Sequence, residues 1–136
     1  MKPQLLKFKV MSDGRGSLIA LEETKNIPFT IKRIYYLYKL NSELIRGKHA
    51  HKTLQQVLIC TSGRCKILLD NGKEKCTVEL DSPDKGLIIN NLVWREMFDF
   101  SPDCVIMVVA DQHYDEEDYI RDYKDFIKEV NNNANI

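Results

Sequence analysis

Apolar and polar positions along most of this 136-residue chain follow the short, interrupted pattern of β-strands. Brief runs rich in β-branched and aromatic residues are separated by Gly, Pro, Asn, Asp and Ser about every ten residues. The predicted strands cover residues 5–10, 18–22, 31–40, 48–60, 65–69, 76–80, 87–89, 93–100 and 104–110, with a loop at 41–47. About eight or more short strands, with no alternating βαβ pattern, predict an all-β fold, either a sandwich or a jelly-roll barrel.

The C-terminal segment has a different periodicity. Apolar side chains recur at helical spacing after the acidic residues 115–118, and a helix dipole favours acidic residues at its N-terminus. The pattern predicts one α-helix over residues 115–130 that packs against one side of the barrel, and a frayed tail at 131–136. Neither a repeat nor a linker is evident, so we expect a single domain over residues 1–130.

Composition argues against two classes of partner. The 20 basic and 20 acidic residues cancel, whereas a nucleic-acid binder or a membrane-surface protein usually carries a basic excess. No apolar run approaches the ~20 residues of a membrane span, and the N-terminus lacks the apolar core of a signal peptide. We therefore expect a cytoplasmic protein that binds neither nucleic acid nor membrane.

The chain has four cysteines, Cys60, Cys65, Cys76 and Cys104. They could form a disulfide or a zinc site, but no CxxC spacing occurs. Each lies in or beside an apolar, strand-like run. Buried free thiols in a reducing compartment are therefore the favoured interpretation.

Candidate chemistry is concentrated in residues 46–51, with the sequence RGKHAH. Side chains two apart on a strand point to the same face, so His49 and His51 project together. If that face lines a barrel, two imidazoles share one sheltered cavity. Unperturbed histidine titrates at roughly 6.5, which suits proton transfer near neutral pH. The alternative is a surface strand that carries two solvated histidines.

The spacing from His49 and His51 to Gln56 and then Gly63 resembles the first motif of the cupin superfamily. In that motif two His and a Glu bind a metal, and a second motif supplies a third His. Here Gln56 replaces the Glu, and Trp94 stands where the third His would align. An amide is a poor ligand for hard metals and an indole is none, so the resemblance implies a barrel with its histidines but without a metal or other cofactor.

Four blocks in register give a more specific resemblance: residues 13–18 (DGRGSL), 27–33 (IPFTIKR), 46–52 (RGKHAHK) and 114–121 (YDEEDYIR). Together they resemble the sugar 3,4-ketoisomerase family, the dTDP-4-oxo-6-deoxyglucose isomerases of the WxcM-like cupins, from about residue 5 to 127. The resemblance implies a cupin-type jelly-roll homodimer, often with exchanged N-terminal strands. It also implies isomerisation of dTDP-4-keto-6-deoxy-D-glucose to a 3-keto sugar, for 3-amino-3,6-dideoxy sugars of O-antigens or S-layer glycans.

The implied reaction assigns roles to the strand residues. A 4-keto sugar acidifies its C3 proton, so a base can remove that proton to give an enediol, and a proton returned to C4 leaves the ketone at C3. His49 and His51 are the predicted bases, and which serves which atom stays open. Tyr35 could donate a hydrogen bond to the developing oxyanion, or it could be a core tyrosine with a satisfied hydroxyl.

Cationic and aromatic residues are the predicted substrate contacts. Arg33, on the same strand face as Tyr35, and Arg46 could bind the diphosphate, although solvated arginines at the barrel rim are an equal alternative. Arg15 and Arg95 are predicted to influence which face of C4 is protonated. Trp94 could stack on the sugar or the thymine, or belong to the core.

Three rival functions remain at this point. A dTDP-sugar 3,5-epimerase would also be a metal-free cupin with a His base. A metal-dependent cupin, such as an oxygenase or a phosphosugar isomerase, would need ligands that Gln56 and Trp94 do not supply. A non-catalytic sugar-nucleotide-binding module would not need two titrating groups on one strand. The C4 configuration of the product is open.

Overall fold

The chain forms two five-stranded antiparallel sheets and one two-stranded hairpin in the computed structural model, which describes residues 1–134. In chain order the strands are β1 (Gln4–Lys7), β2 (Met11–Asp13), β3 (Gly16–Leu18), β4 (Arg33–Leu37), β5 (Arg46–His51), β6 (Gln56–Ser62), β7 (Cys65–Asp70), β8 (Lys75–Leu80), β9 (Lys85–Ile89), β10 (Trp94–Phe98), β11 (Val105–Ala110) and β12 (Tyr119–Ile120). One sheet has the order β1-β9-β6-β11-β4, and the other has the order β12-β5-β10-β7-β8.

The main core lies between these two sheets. Each strand alternates inward and outward side chains, so apolar residues of both sheets meet in one buried cluster that includes Leu58, Ile67, Leu87, Met97 and Ile106. The cluster follows the apolar positions of the predicted strands from residue 56 onwards. The prediction of an all-β fold with one C-terminal helix is confirmed.

The predicted continuous strand over residues 48–60 is wrong, because residues 52–55 leave the sheet and β5 already begins at Arg46. β5 belongs to one sheet and β6 to the other, so the chain turns a corner between them. Carboxylates satisfy the backbone N–H groups freed at this corner: Asp118 accepts from Thr53 and Leu54, and Asp111 accepts from Gln55.

Two shorter predictions also need correction. Leu18 is the last residue of β3, so the predicted strand over 18–22 ends almost where it was expected to begin. The sequence DNGK at residues 70–73 predicts a two-residue hairpin. The turn after β7 is instead a four-residue loop, because the last pair of that ladder is Asp70 with Lys75. Within the loop, the side chain of Asn71 accepts from the backbone N–H groups of both Lys73 and Glu74.

The helix begins later than predicted. Residues 115–120 form a single 3-10 turn (Glu116–Asp118) and then strand β12, which pairs with β5 at His51 and Ala50. The free edge of β5 offers backbone partners that a helix at this position would forgo. The α-helix α1 is Tyr123–Ala134, so residues 131–134 are its last turn rather than a tail. Residues 135–136 of the predicted tail lie outside the described residues.

Helix α1 covers the outer side of the second sheet. Phe126 is fully buried against Trp94, Ile120 and Ala50. The hydroxyl of Tyr123 donates to the buried carboxylate of Asp70 at 2.6 Å. Among residues 1–134, no helix has the length and apolar character needed to cross a bilayer.

All four cysteines are free thiols. Cys60, Cys65 and Cys104 are buried, as predicted, whereas Cys76 on β8 is half-buried. The three buried thiols belong to the main core between the sheets.

Candidate active site

A cavity of about 340 Å³ opens between the two sheets, and we call it the histidine cavity. It is built from β4 of one sheet and from β5, β10 and β12 of the other. It is lined by Arg33, Tyr35, Leu37, Arg46, Gly47, His49, Met97 and Tyr119. The alternation of β4 explains why Arg33, Tyr35 and Leu37 face inward together, since they lie two positions apart on that strand.

The two histidines of β5 meet at this cavity at different depths. Their ring centroids are 4.9 Å apart, and the ring planes are inclined at 87°. His49 is half-buried and lines the cavity, whereas His51 is 1% exposed and lies deeper. The Tyr119 ring packs against both, at 5.0 Å and 4.4 Å between centroids. One imidazole therefore faces the open space and the other lies behind it.

A carboxylate holds the deeper ring. Oδ2 of Asp118 lies 3.2 Å from Nδ1 of His51. The same carboxylate accepts the Thr53 N–H at 2.9 Å, the Thr53 hydroxyl at 2.7 Å and the Leu54 N–H at 3.3 Å. A carboxylate fixed in this way favours the tautomer with hydrogen on Nδ1. Nε2 of His51 is then an acceptor, and it has no partner among the described residues.

A second chain of hydrogen bonds ends on a tyrosine. Nη1 of the buried Arg95 donates to Oε1 of Gln56, and Nε2 of Gln56 donates to the hydroxyl oxygen of Tyr35 at 2.9 Å. Since Tyr35 accepts this bond, its own hydrogen is free to point elsewhere. Burial raises the pKa of Tyr35, so its hydroxyl stays protonated and can act as a donor.

Burial also sets the charge of the histidines. Desolvation, followed by the positive charge of Arg95, lowers the pKa of His49 to about 2 and that of His51 to about 3. Both rings are neutral at neutral pH, so each has a lone pair that can accept a proton. A negatively charged ligand in the cavity would oppose the effect of Arg95 and raise both pKa values.

The side chains around His49 and His51 suit a metal ion poorly. The amide oxygen of Gln56, which stands in the place of the cupin carboxylate, is occupied by the Arg95 guanidinium. Arg95 lies on the same face of the sheet as His49, because the two residues are paired across β10 and β5. Its positive charge would repel a metal ion bound by the histidines. Among residues 1–134, the histidines belong to no group of three or more clustered metal-ligating side chains.

Cations surround the mouth of the cavity. The guanidinium of Arg33 lies 4.5 Å from the centroid of the Tyr35 ring, and Arg46 also lines the opening. The guanidinium of Arg121 lies 4.2 Å from the centroid of the Tyr119 ring. An anionic ligand would meet these groups before it reached the histidines.

Two predicted contacts lie elsewhere in this structure. Trp94 occupies the opposite face of β10 from Arg95 and packs under α1, 5.3 Å from Tyr123 between ring centroids. Of the two alternatives for Trp94, this position matches the core residue and not the contact with sugar or thymine. Arg15 lies in the loop of the β2–β3 hairpin, where its side chain is 92% exposed and pairs with Asp13. Within this chain it does not reach the histidine cavity.

Sequence reasoning missed the roles of Asp118 and Tyr119. It placed both in a helix, and the only signal for them is that they fall within the block at residues 114–121. Gln56 was noted as a replaced metal ligand, but its bridge between Arg95 and Tyr35 depends on three different strands.

Comparisons with known proteins agree over nearly the whole chain. The family model described as FdtA: WxcM-like, C-terminal, matches residues 1–131. A curated relative from Aneurinibacillus thermoaerophilus, TDP-4-oxo-6-deoxy-alpha-D-glucose-3,4-oxoisomerase, is 52% identical over 130 residues, which is 96% of this chain and 94% of the relative.

Two solved structures are also similar. The sugar 3,4-ketoisomerase QdtA from Thermoanaerobacterium thermosaccharolyticum, in complex with TDP, has a TM-score of 0.94 and 47% identity, covering 96% of each chain. The TDP-quinovose 3,4-ketoisomerase WlaRB from Campylobacter jejuni has a TM-score of 0.89 and 45% identity, covering 93% of this chain and 97% of its own.

Proposed function

The chain belongs to the FdtA family (WxcM-like, C-terminal), and we propose that it is a 3,4-ketoisomerase of a TDP-linked 4-keto-6-deoxy sugar. One observation carries this function. A neutral histidine faces a cavity rimmed by arginines, in a chain that is 52% identical over 96% of its length to a TDP-4-oxo-6-deoxy-glucose 3,4-oxoisomerase. The product is a TDP-linked 3-keto-6-deoxy sugar.

The reaction balances without an added oxidant. A base removes the proton from C3, the C–H electron pair forms the C3–C4 double bond, and the C4 carbonyl electrons move onto O4. The enediolate then accepts a proton at C4 and transfers the O3 hydrogen to O4. C4 is thereby reduced and C3 is oxidised within one molecule, so the groups required are a base, a proton shuttle and a donor for the oxyanion.

We assign the carbon-centred proton transfers to His49. It lines the histidine cavity, whereas His51 is 1% exposed and lies behind it. The assignment is supported by the neutral state of the ring, which allows it to take the C3 proton and return it to C4. His51, held by Asp118, acts on the oxygen atoms or orients His49 through their contact at 4.9 Å between ring centroids.

Tyr35 is the proposed donor to the enediolate. Its hydroxyl oxygen already accepts a hydrogen bond from Gln56, so its hydrogen is available to a substrate oxygen. The buried Arg95 holds Gln56 from the other side and adds positive charge near the developing anion. Arg95 therefore acts from behind the cavity, through Gln56, and is suited to influence which face of C4 receives the proton.

Arg33 and Arg46 are the proposed diphosphate contacts. Both line the mouth of the cavity, and a guanidinium can donate two parallel hydrogen bonds to phosphate oxygens. With the diphosphate at the rim, the sugar would extend inward toward His49.

We also propose that the enzyme is a homodimer with exchanged N-terminal hairpins. β4 is an edge strand, and its outward residues Ile34 and Tyr36 are 56% and 64% exposed. Among residues 1–134, the β2–β3 hairpin pairs with no other strand, and it exposes Met11 and Leu18. A hairpin added to the β4 edge would cover both apolar surfaces. It would also carry Arg15 toward the cavity of the other subunit.

The cellular setting is part of the same proposal. We place the enzyme in the cytoplasm, because its buried thiols are unpaired and its proposed substrate is a nucleotide sugar. The resemblance of its sequence blocks supports a role in making 3-amino-3,6-dideoxy sugars for an O-antigen or an S-layer glycan.

The deciding experiment mixes the enzyme with TDP-4-keto-6-deoxyglucose in deuterium oxide and records the carbon NMR spectrum of the product. A ketoisomerase moves the carbonyl carbon to C3, and deuterium that enters is found at C4. A 3,5-epimerase would leave the carbonyl at C4 and place deuterium at C3 and C5. Binding without any change in the spectrum would indicate a non-catalytic module and would overturn the proposal.

A further inference from the structure

Three thiols converge in the core, away from the histidine cavity. Cys60 lies near the end of β6, Cys65 begins β7, and Cys104 directly precedes β11. Their sulfur atoms all lie within 4.8 Å of one another, and those of Cys60 and Cys104 are 3.8 Å apart. We call these three residues the thiol cluster. Cys60 is four residues along β6 from Gln56, which separates the cluster from the active site by about 13 Å.

The cluster is sealed from solvent. Cys60, Cys65 and Cys104 are 0%, 1% and 2% exposed, and they share the apolar cluster that contains Leu80 and Phe100. Burial of one cysteine needs no explanation beyond packing, because a free thiol behaves as a small apolar group. Packing does not explain why three sulfur atoms from two different sheets point at the same spot.

The three sulfur atoms interact with one another and with one backbone group. Sγ of Cys60 lies 3.8 Å from Sγ of Cys104, and Sγ of Cys65 lies within 4.8 Å of both. The thiol of Cys60 also approaches the carbonyl oxygen of Ser62 at 3.1 Å. The three sulfurs thus form a connected polar group inside an apolar core. A bound cation would replace the thiol protons and balance the charge of the thiolates.

Two short loops close the cluster from the barrel end. The N–H of Arg64 donates to the Ser101 hydroxyl at 2.9 Å, and the Ser101 N–H donates to the Arg64 carbonyl at 3.0 Å. Gly63 has φ of +71°, and a Cβ at this position would lie 3.0 Å from the Cα of Cys104. This tight cover would exclude water from a bound ion.

We propose that the thiol cluster binds one soft, low-coordinate cation, for which Cu(I) is the physiological candidate. Three sulfurs that surround an ion at about 2.3 Å in a trigonal plane lie about 4.0 Å apart, and the Cys60 and Cys104 sulfurs, at 3.8 Å, are close to this separation. Structural zinc needs a fourth ligand, and among the described residues the group contains no His, Asp, Glu or fourth Cys. Three sulfurs without nitrogen or oxygen select the softer ion.

This site is independent of the proposed isomerase reaction, and its effect is on the fold. The ion would join β6, β7 and the start of β11, which belong to both sheets. Because binding to the native state stabilises it, the loaded protein should melt at a higher temperature than the metal-free protein. Turnover should not change, since none of the three cysteines lines the histidine cavity.

The test is an anaerobic titration of the full chain with Cu(I), in competition with a chromophoric Cu(I) chelator. We expect one ion per chain, thiolate-to-copper charge-transfer absorption in the ultraviolet and a raised melting temperature. Cys60→Ala and Cys104→Ala should each lower the affinity by more than 100-fold, beyond the 10–100-fold typical of a lost supporting partner. Cys76→Ala is the matched control, because this half-buried thiol on β8 lies outside the cluster.

The proposed site would be overturned if Cu(I) affinity were unchanged in Cys104→Ala or lost in Cys76→Ala. It would also be overturned if the protein bound Zn(II) more tightly than Cu(I). Retained isomerase turnover in each variant shows that the barrel is folded. If an alanine variant does not fold, Cys104→Ser fills the position and must still lose Cu(I) affinity.

Discussion

The carboxylate of Asp118 lies 3.2 Å from Nδ1 of His51, although 67 positions separate them in the chain. The contact exists because strand β12 pairs with β5 and brings the preceding 3-10 turn against the corner at residues 52–55. It fixes the tautomer of the deeper histidine and leaves Nε2 as an acceptor. Asp118 is therefore a positioning residue whose contribution can be measured.

Asp118→Asn is expected to lower kcat about 10–100-fold with little change in KM, because the amide can no longer stabilise a protonated His51. Steady-state kinetics as a function of pH will check this, since a merely structural role would not shift the pH profile. Asp115→Asn is the control, as this nearby acid caps the 3-10 turn and does not touch the histidines. Wild-type kcat and pH profile in Asp118→Asn would contradict the assignment.

His49→Asn and His51→Asn are each expected to lower turnover by about 10²-fold or more, since general base catalysis typically contributes this much. TDP binding, measured by calorimetry, should persist in His49→Asn if the diphosphate contacts lie at the cavity rim. The third histidine, His113, is exposed in a loop and does not line the cavity, so His113→Asn is the control. Near-normal turnover in both cavity variants would reject the histidine mechanism.

Tyr35→Phe is expected to lower kcat about 10²–10³-fold, because it removes the proposed donor to the enediolate and leaves the fold intact. Its neighbour Tyr36 points outward from the same strand, so Tyr36→Phe is a matched control and should retain activity. Equal rates for the two variants would exclude Tyr35 as the oxyanion donor.

Stability should fall as the pH is lowered below about 6.5. The folded-state pKa values of His49 and His51 are lowered to about 2 and 3, so in this window the unfolded chain binds more protons than the folded one. Each histidine then removes up to about 1.4 kcal/mol of unfolding free energy per pH unit. Urea unfolding at pH 7.5 to 5.5 checks this, and His51→Asn should show a shallower dependence.

The lowered pKa values of His49 and His51 also set the pH dependence of activity. The acid limb of kcat/KM, which reports the free enzyme, should lie below pH 6.5 because His49 and His51 remain neutral there. Rates measured with the TDP-keto sugar in buffers of constant ionic strength provide the test. A limb at or above pH 6.5 would mean that the histidines of the free enzyme are not desolvated.

Tyr36→Asp is expected to separate the proposed dimer, because it places a charge on the exposed face of edge strand β4. Sedimentation velocity should show a monomer, and activity should fall if Arg15 acts across the interface. Thr77→Asp makes a comparable change on the exposed face of β8, an edge strand of the other sheet, and should leave the dimer intact. A wild-type protein that sediments as a monomer would remove the proposal.

Local sequence patterns were sufficient to predict the strands from residue 56 onwards and the shared face of His49 and His51. Alternation of apolar and polar residues is a property of a few neighbouring positions, so strands from residue 56 onwards were predicted to within a few residues. His49 and His51 share a face for the same reason. The resemblance of four short blocks then identified the family, which the family model over residues 1–131 confirms.

Pairing between strands that are distant in the sequence decided which face a side chain occupies and which residues it contacts across the barrel. Trp94 was aligned with the inward position of β10, but Arg95 occupies it, and an error of one residue exchanges the two faces of a strand. Residues 115–120 have a helical pattern, yet the open edge of β5 draws Tyr119 and Ile120 into the sheet. The contacts of Asp118 with His51 and of Gln56 with Arg95 follow from that assembly, because no local periodicity records which distant strands become neighbours.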